Sequence, residues 1–385
     1  MANHIRQRVA LGVASGLTLT LLPALVSQAP ALGASSPTVT VVDTVSGPNF
    51  QAFWKTKLIP EIKKHLGINV SYTVGSGPEV QLQMKAWKPG HPEFSLLFLK
   101  GLDLTNMIRS GNKLQTIYPD FRQIPNERME PVSFLKSDNG VPVDGKGAIF
   151  WRAQFDLVYN AQKIKNPPHT WQEFYARRHE YCGHIGMIRT DASSGGGRAF
   201  MYSFLQAFGV NFNQPFSKLE HTAVWKSALA KFTRFSKCFA QPVASSPPVM
   251  FHQFNTGQVW LTDYAQDYSL WSASQGQLPP YTRAAPLNVN VVGSSNAWLV
   301  VPAVDTAQQK ATDYRLINYL LSPAVQLQML ETMYEYPGTS AWTKAPAWIW
   351  KKIPPVNVAE GKHGIRMTNL PAITYIEEKG MSFIQ

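Results

Sequence analysis

The chain has 385 residues, of which 44% are hydrophobic and 12% aromatic, and its formal net charge is +12 at pH 7. This length exceeds the size at which one hydrophobic core keeps growing, so we expect two domains, and the apolar content argues against disorder. The 36 lysine and arginine residues are scattered rather than gathered into a stripe, which argues against binding to nucleic acid.

The N-terminus has the pattern of an export signal. Arg6 and Arg8 precede an apolar run at residues 9–26, which Pro23 interrupts and small residues follow. We predict a signal peptide at residues 1–34, with a permanent membrane anchor as the alternative. Cleavage removes two arginines and no acidic residue, so the formal charge falls from +12 to +10. The mature protein is expected to be soluble and either periplasmic or secreted; no lipid-attachment cysteine follows the run, which favours the periplasm.

The first part of the mature chain alternates strands with helices. Strands are predicted at residues 38–43, 68–74 and 95–99, and helical patterns lie between them at 50–67 and 80–87. This βαβαβ order predicts a largely parallel sheet. A long extended tract follows at residues 148–160.

The remainder of the chain continues the α/β pattern. Thr170 and Glu173 have the spacing of a capping box at the start of a helix. Further predicted elements are helices at residues 200–208, 222–239 and 306–333 (broken at 322–323), strands at 185–189, 259–262 and 297–301, and a loop at 245–248. The predicted fold class is α/β.

Three turns share one design, in which small residues join an apolar strand to a helix. Such a turn presents backbone N–H groups and the positive end of the helix dipole, which suits phosphate, sulfate or carboxylate. The alternative is that glycine and serine simply form the connections. Ligands bind at the carboxyl ends of strands in open sheets, so we predict ligand-binding residues in these turns: Ser46, Gly47, Asn49, Ser76, Gly77, Ser194, Gly195, Gly196, Gly197 and Arg198.

A second candidate group follows the predicted strand at 259–262. Asp263 and Tyr264 come directly after it, and aromatic residues continue along a helical pattern. A carboxylate with aromatic walls suits a cationic or ring-bearing ligand, whereas the alternative is an ordinary amphipathic helix. We predict that Asp263 and Tyr264 contact the ligand, together with Trp151 and Trp298.

Cys182 and Cys238 are the only cysteines. Export predicts a disulfide between them, and two free buried thiols are the alternative.

His179 and His184 are five residues apart, which does not match the spacing of a zincin helix, so neither a metal site nor a cofactor is expected. The sequence has no G-x-S-x-G or H-E-x-x-H motif. We therefore expect no enzymatic activity, with a secreted hydrolase of dispersed active site or an exported scaffold as alternatives.

Several stretches together resemble the extracellular solute-binding proteins of ABC importers. Each is degenerate, and their order along the chain carries the resemblance: FDLVYN at 155–160, PPHTW at 167–171, FNTGQVW at 254–260, SNAWLVVP at 295–302 and YLLSPAVQ at 319–326. Within that family the chain looks similar to the branch that handles thiamine, iron, polyamines and small anions.

The resemblance implies a fold of the type II periplasmic-binding-protein kind, with two α/β lobes joined by crossing strands and a ligand cleft between them. Residues 38–155 plus 297–345 would form lobe 1 and residues 156–296 lobe 2, while 346–385 is not assigned to either. The lobes would close on a solute by hinge bending and deliver it to an ABC permease in the membrane. We expect the protein to act as a monomer.

The expected solute is a small anionic or phosphorylated molecule, with a thiamine-like ligand next in order. Iron is disfavoured, because ferric-binding relatives use adjacent tyrosines and the sequence has no Tyr-Tyr pair. Polyamines are disfavoured because the chain has only 24 acidic residues against 36 basic ones.

Overall fold

Two larger β-sheets organise the chain into two α/β lobes. The computed structural model describes residues 36–293 and 296–385, so the predicted signal peptide lies outside the described residues. One sheet has six strands and the other has three, and two further pairs of very short strands lie beside them. The strands are β1 (Thr38–Asp43), β2 (Asn69–Val74), β3 (Leu96–Lys100), β4 (Ser137–Asp138), β5 (Val141–Pro142), β6 (Ala148–Arg152), β7 (Phe155–Asn160), β8 (Leu261–Ala265), β9 (Thr282–Ala285), β10 (Asn290–Val291), β11 (Ala297–Val300), β12 (Tyr336–Pro337) and β13 (Gly364–Ile365).

Helices connect and cover these sheets. A π-helical segment at Trp54–Leu58 joins α1 to α2, so the chain is helical from Pro48 to Leu66. The α-helices are α1 (Pro48–Phe53), α2 (Ile59–Leu66), α3 (Gly77–Gln83), α4 (Gly101–Arg109), α5 (Val132–Leu135), α6 (Trp171–Ala176), α7 (Gly196–Ala207), α8 (Phe216–Leu219), α9 (Ala223–Ser236), α10 (Pro247–Asn255), α11 (Gln266–Ser274), α12 (Ala307–Leu320), α13 (Pro323–Met333) and α14 (Leu370–Lys379). None of the helices in the described part of the chain has the length and apolar character needed to span a bilayer.

The six-stranded sheet has the order β12-β6-β11-β3-β1-β2. Strands β2, β1 and β3 are parallel, as predicted, because α-helices carry the chain back between them. Strand β11 is antiparallel to both β3 and β6. The sheet as a whole is mixed rather than largely parallel, because β11, which enters it from the other lobe, and β12 run in the opposite direction.

The extended tract at 148–160 is two strands that belong to different sheets. It forms β6 in the six-stranded sheet, and after Ala153 and Gln154 it forms β7, the centre of the antiparallel sheet β8-β7-β9. The return of the chain runs beside this crossing, since Gly293 N donates to Ala153 O at 2.7 Å. The two lobes are thus joined by adjacent crossing segments, as the resemblance implied.

Each sheet has its own hydrophobic core. The six-stranded sheet packs apolar side chains on both faces, among them Trp54, Phe98 and Trp298. The three-stranded sheet packs against α6, α7 and α9 through a cluster of aromatic rings that includes Trp171 and Phe204. The C-terminal helix α14 adds Ala372, Ile373 and Ile376 to this second core.

Local details both confirm and correct the sequence predictions. Thr170 Oγ1 accepts the N–H of Glu173 at 3.0 Å, as a helix cap should. A disulfide joins Cys182 to Cys238. The predicted loop at 245–248 is confirmed only for 245–246, because Pro247 and Pro248 form the first turn of α10, where proline is well accommodated. The predicted strand at 185–189 forms only isolated bridges, at Ile185 and Ile188.

Candidate functional site

A cavity of about 340 Å³ lies between the two sheets. This volume is near the lower end of the range for small-molecule sites. Both lobes supply its lining, which is aromatic and polar: Thr44, Val45, Ser46, Gly47, Pro48, Asn49, Phe50, Lys100, Trp151, Ala153, Phe155, Ser193, Ser194, Pro247, Pro248, Tyr264, Ala265, Asp267, Tyr268 and Glu335. The cavity is the candidate solute site.

Parallel strands position the six-stranded side of the cavity. Strands β1 and β3 are neighbours, so their carboxyl ends bring residues 44–50 and Lys100 to one edge of the sheet. Phe50, near the start of α1, stacks on Trp151 of β6 with ring centroids 3.8 Å apart. This pair forms an aromatic wall at the junction of helix and sheet.

The opposite side comes from β8 and the helix that follows it. Tyr264 is buried on β8 and packs edge-on against Phe155 and Phe251. Tyr268, one turn into α11, lies 4.8 Å from Phe251 between ring centroids. The three-stranded lobe therefore contributes a second aromatic wall, which is supported from behind by its own core.

A pair of buried carboxyl groups, Asp267 and Glu335, lines the cavity. Burial raises the pKa of both, and that of Glu335 well above its ordinary value. A hydrogen bond between the two groups lowers the pKa of Asp267 and raises that of Glu335. Because two adjacent buried carboxyl groups disfavour a double negative charge, the pair favours holding a proton. In the described part of the chain, Glu335 Oε1 has no hydrogen-bond partner.

This carboxyl pair also connects the lobes. Asp267 lies in the first turn of α11 in the three-stranded lobe, whereas Glu335 precedes β12 of the six-stranded sheet. Asn49 Nδ2, from α1, donates to Asp267 Oδ2 at 3.3 Å. Side chains of both lobes thus meet at one acidic point in the cavity wall.

Two of the three glycine and serine turns are already met by carboxylates of the chain itself. Asp43 Oδ1 accepts the backbone N–H groups of Val45 and Ser46 at 2.9 and 2.8 Å. At the second turn, a Cβ on Gly77 would lie 2.1 Å from the carboxyl carbon of Asp103. The chain's own acids occupy the positions that the sequence pattern offered to an anion.

The three glycines of the third turn have packing and conformational causes. Gly195 caps α7 with a φ of +75°, a conformation that side chains disfavour. A Cβ on Gly196 would lie 2.7 Å from the Tyr264 ring, and a Cβ on Gly197 would lie 2.2 Å from Ile188 O. These glycines let α7 approach β8 and the 188–189 backbone, and they do not line the cavity.

Arg198 is held by protein groups. Its Nη1 atom donates to Thr190 O and Ala192 O at 3.2 and 3.1 Å and lies 3.1 Å from Glu377 Oε1. The side chain lies beside a space of about 20 Å³, which is the size of a single water molecule. It links the 190–192 loop to α14 and does not line the main cavity.

The structure brings together some of the predicted site residues and separates others. Six of them line the cavity: Ser46, Gly47, Asn49, Trp151, Ser194 and Tyr264. Trp298 lies in the core, where its Nε1 donates to Asp138 Oδ2 at 2.7 Å. Asp263 is buried beside Asp156, outside the cavity lining, because successive strand residues face opposite sides. Ser76 and Gly77 lie at the start of α3, also outside the lining.

Sequence reasoning missed the acidic pair and Lys100. Successive residues of a strand point to opposite faces of the sheet. Extending the predicted strand to residue 265 would therefore have shown that Asp263 and Tyr264 cannot both face the cavity. The subsequent helix pattern would then have favoured Asp267 and Tyr268. Glu335 has no comparable signal, because only the pairing of β12 with β6 brings it to the cavity.

Solved structures share this fold at low sequence identity. A solute-binding protein of an ABC transporter from Thermotoga lettingae, bound with α-D-tagatose, has a TM-score of 0.71 and 15% identity over 91% of this chain and 94% of its own. The spermidine/putrescine substrate-binding protein PotD from Streptococcus pneumoniae has a TM-score of 0.69 and 14% identity over 91% and 100%. An ABC transporter substrate-binding protein from Bradyrhizobium japonicum has a TM-score of 0.67 and 17% identity over 91% and 100%.

These likenesses show the fold, while sequence comparison supplies the family. No curated protein sequence matches the chain. The family model described as bacterial extracellular solute-binding protein matches residues 63–354, which is more than half of the chain. Members of this family bind a small solute for an ABC importer and deliver it to a membrane permease, and they are not enzymes. The chain belongs to the bacterial extracellular solute-binding proteins.

Proposed function

We propose that the solute is a small zwitterion, with an amine at one end and an acidic group at the other. The buried pair Asp267–Glu335 carries this proposal. Glu335 lines the cavity of a basic protein, and its buried Oε1 has no hydrogen-bond partner among the described residues, which is costly. An ammonium group would give that oxygen a donor and would compensate a second carboxylate charge.

The aromatic walls suit the same end of the solute. The faces of Tyr, Trp and Phe rings attract a cation, and Tyr268 and Trp151 line the cavity together with the carboxyl pair. The chain's own acids already meet the first two glycine and serine turns, so an anion is not favoured at those turns. The amine end therefore belongs beside Asp267.

The acidic end belongs beside Lys100 and the 193–194 turn. Among the described residues Lys100 forms no ion pair, and Ser194 Oγ has no hydrogen-bond partner. Both line the cavity. A carboxylate or phosphate there would accept from an ammonium and a hydroxyl. A thiamine-like phosphate, which has a cationic ring and an acidic end, is a larger molecule of the same class.

Capture would proceed by closure of the lobes. We place the lobe limits at 38–155 plus 297–345 and at 156–296, with hinges at the crossings that follow β6 and precede β11. The Asn49–Asp267 hydrogen bond connects the two lobes, which supports closure at this point. The closed form would act as a monomer in the periplasm or outside the cell.

Calorimetric titration with matched molecules tests the solute class. Aminoalkanoates of increasing length, thiamine monophosphate, and the diamine and dicarboxylate of each matching length are titrated into the purified protein. We expect an aminoalkanoate or the thiamine phosphate to bind at least about tenfold more tightly than the matching diamine or dicarboxylate, a difference of about 1.4 kcal/mol. If a dicarboxylate binds best, the solute is anionic, as the sequence analysis expected. If a diamine binds best, the proposal of an acidic end on the solute is wrong. Binding by no member of the series would reject the zwitterion.

A further inference from the structure

A second cavity, of about 500 Å³, is lined by the second turn of α11. Leu270, Ala273 and Ser274 line it, whereas Asp267 and Tyr268, in the first turn of the same helix, line the solute cavity. No residue lines both cavities. The second cavity is therefore distinct from the solute site, and its volume is within the range of small-molecule sites.

The cavity has an apolar floor. Leu270 and Tyr334 both line it, and both are buried in one hydrophobic cluster together with Ile349 and Ile353. Leu270 belongs to α11 of the three-stranded lobe, whereas Tyr334 directly follows α13. The floor is thus supported from behind by packed side chains, and burying an apolar group against it is favourable.

Every charged residue in the lining is basic. These residues are Arg283, Lys351 and Lys352, and no aspartate or glutamate lines the cavity. In the part of the chain that the structure describes, none of the three forms an ion pair. Three cations around one cavity without a counterion create a positive potential that attracts an anion and repels a cation.

Contacts within the lining place two of these cationic groups at the cavity. Arg283 Nη1 donates to Pro280 O and Thr282 O at 3.0 and 2.8 Å, and both of those residues line the cavity. Lys352 Nζ lies 5.6 Å from the centroid of the Tyr334 ring, which belongs to the floor. Positive charge and apolar surface are therefore side by side in the same space.

We propose that this cavity is a second small-molecule site, which binds an organic acid with an apolar body. The acidic group pairs with Arg283, Lys351 and Lys352. The apolar body lies on Leu270 and Tyr334. The site is separate from the solute cavity and does not depend on the identity of the solute.

Four probes separate the two parts of the proposal: 4-phenylbutanoate, 4-phenylbutan-1-ol, 4-phenylbutylamine and acetate. Each is titrated into the full-length protein, and binding is followed by ligand-observed NMR. We expect 4-phenylbutanoate to bind with a dissociation constant of about 1 mM or below, as suits a molecule of this size. The alcohol should bind at least about threefold more weakly, because it lacks the charge. Acetate and the amine should bind at least about tenfold more weakly, because acetate lacks the apolar body and the amine has the wrong charge.

Two variants locate the binding. Lys351 and Lys352 are exposed, so replacing both by glutamine removes charge without disturbing the core, and we expect 4-phenylbutanoate to bind about three- to tenfold more weakly. Replacing Lys55 and Lys57 by glutamine is the matched control, because these exposed lysines line neither cavity and the net charge changes equally.

Ser274→Trp tests the same site by steric exclusion. Ser274 is exposed and lines the cavity, so a tryptophan there should fill it and weaken binding of 4-phenylbutanoate at least about tenfold. Ser227→Trp, at an exposed position of α9, is the matched control. Lys100→Gln removes the cation of the solute cavity and should leave the binding of 4-phenylbutanoate unchanged.

Circular dichroism and the melting temperature show whether each variant folds; if Ser274→Trp does not, the double lysine variant decides. The proposal is overturned if 4-phenylbutanoate does not bind, if any other probe binds as tightly, if a folded cavity variant retains full affinity, or if Lys100→Gln abolishes binding. Binding of 4-phenylbutanoate that the cavity variants weaken, and that Lys100→Gln and both controls keep, establishes the site.

Discussion

Binding of the proposed solute is expected to release a proton from the Asp267–Glu335 pair. In the free protein, burial and the nearby Asp267 charge raise the pKa of Glu335 well above its ordinary value. An ammonium group beside the pair favours the ionised form and so lowers the pKa of Glu335 in the complex. The pair is then expected to hold one proton more without solute than with it. Affinity should therefore rise with pH, by up to about tenfold per unit, over the range between these two pKa values.

The magnitude follows from the charges. An ammonium and a carboxylate 4 Å apart attract by about 4 kcal/mol at an effective dielectric constant near 20. Truncating one member of a buried hydrogen-bonded charge pair costs about 2–5 kcal/mol. Asp267→Asn retains an oxygen that can accept from Asn49, so we expect a loss of about 2–3 kcal/mol, or roughly 30–150-fold in the dissociation constant.

Titration calorimetry in two buffers of different ionisation enthalpy measures the proton released, and its repetition across pH measures the slope. The probe is the tightest-binding aminoalkanoate of the series. Glu335→Gln is neutral and nearly isosteric, so it should fold, bind more weakly, and lose both proton release and pH dependence. Glu378→Gln, on the exposed side of α14, is the control and should match the wild type. Unchanged affinity in both cavity variants, or binding without proton release in the wild type throughout the pH range, refutes the ammonium assignment.

Three further predictions concern stability. Replacing both cysteines by alanine should lower the free energy of unfolding by about 4 kcal/mol, because Cys182 and its partner close a loop with a sequence separation of 56; denaturant titration checks this. Gly197→Ala should cost about 1–3 kcal/mol, since its Cβ would meet Ile188 O at 2.2 Å, while Gly361→Ala, with open space around its Cβ, should cost little; thermal melts of the two variants give the comparison. Burial raises the pKa of Asp313 from 3.8 to about 9, so between these values the folded state keeps a proton that the unfolded chain loses, and this group's contribution to stability falls as pH rises. Asp313→Asn removes that penalty and should therefore flatten the decline, stabilising the protein relative to wild type at pH 7 by at least about 1 kcal/mol and by much less near pH 4; urea titration at both pH values measures the difference.

Local elements in both lobes were predictable from sequence, because each depends on nearby residues. Strand β1 has exactly the predicted bounds, and the Thr170 cap follows from a spacing of three residues. The family stretches also predicted two lobes joined by crossings, since their order along the chain encodes the path between the lobes. Fold class and family were thus available without coordinates.

Long-range pairing decided what local pattern could not. The sheet is mixed because β11 comes back from the other lobe, and no local sequence pattern around β11 predicts its direction in the sheet. The same holds for the two-sheet division of residues 148–160, which read as one extended tract.

By itself, the sequence determined an α/β carrier with glycine and serine turns at the ends of its strands. Tertiary structure alone decided what those turns do: Asp43 and Asp103 meet two of them, and the glycines of the third let α7 pack against Tyr264 and Ile188. It also placed Glu335 beside Asp267, 68 positions away in the chain. The physical reason is that a turn's conformation depends on its own residues, whereas the charge it faces depends on side chains that only folding brings near.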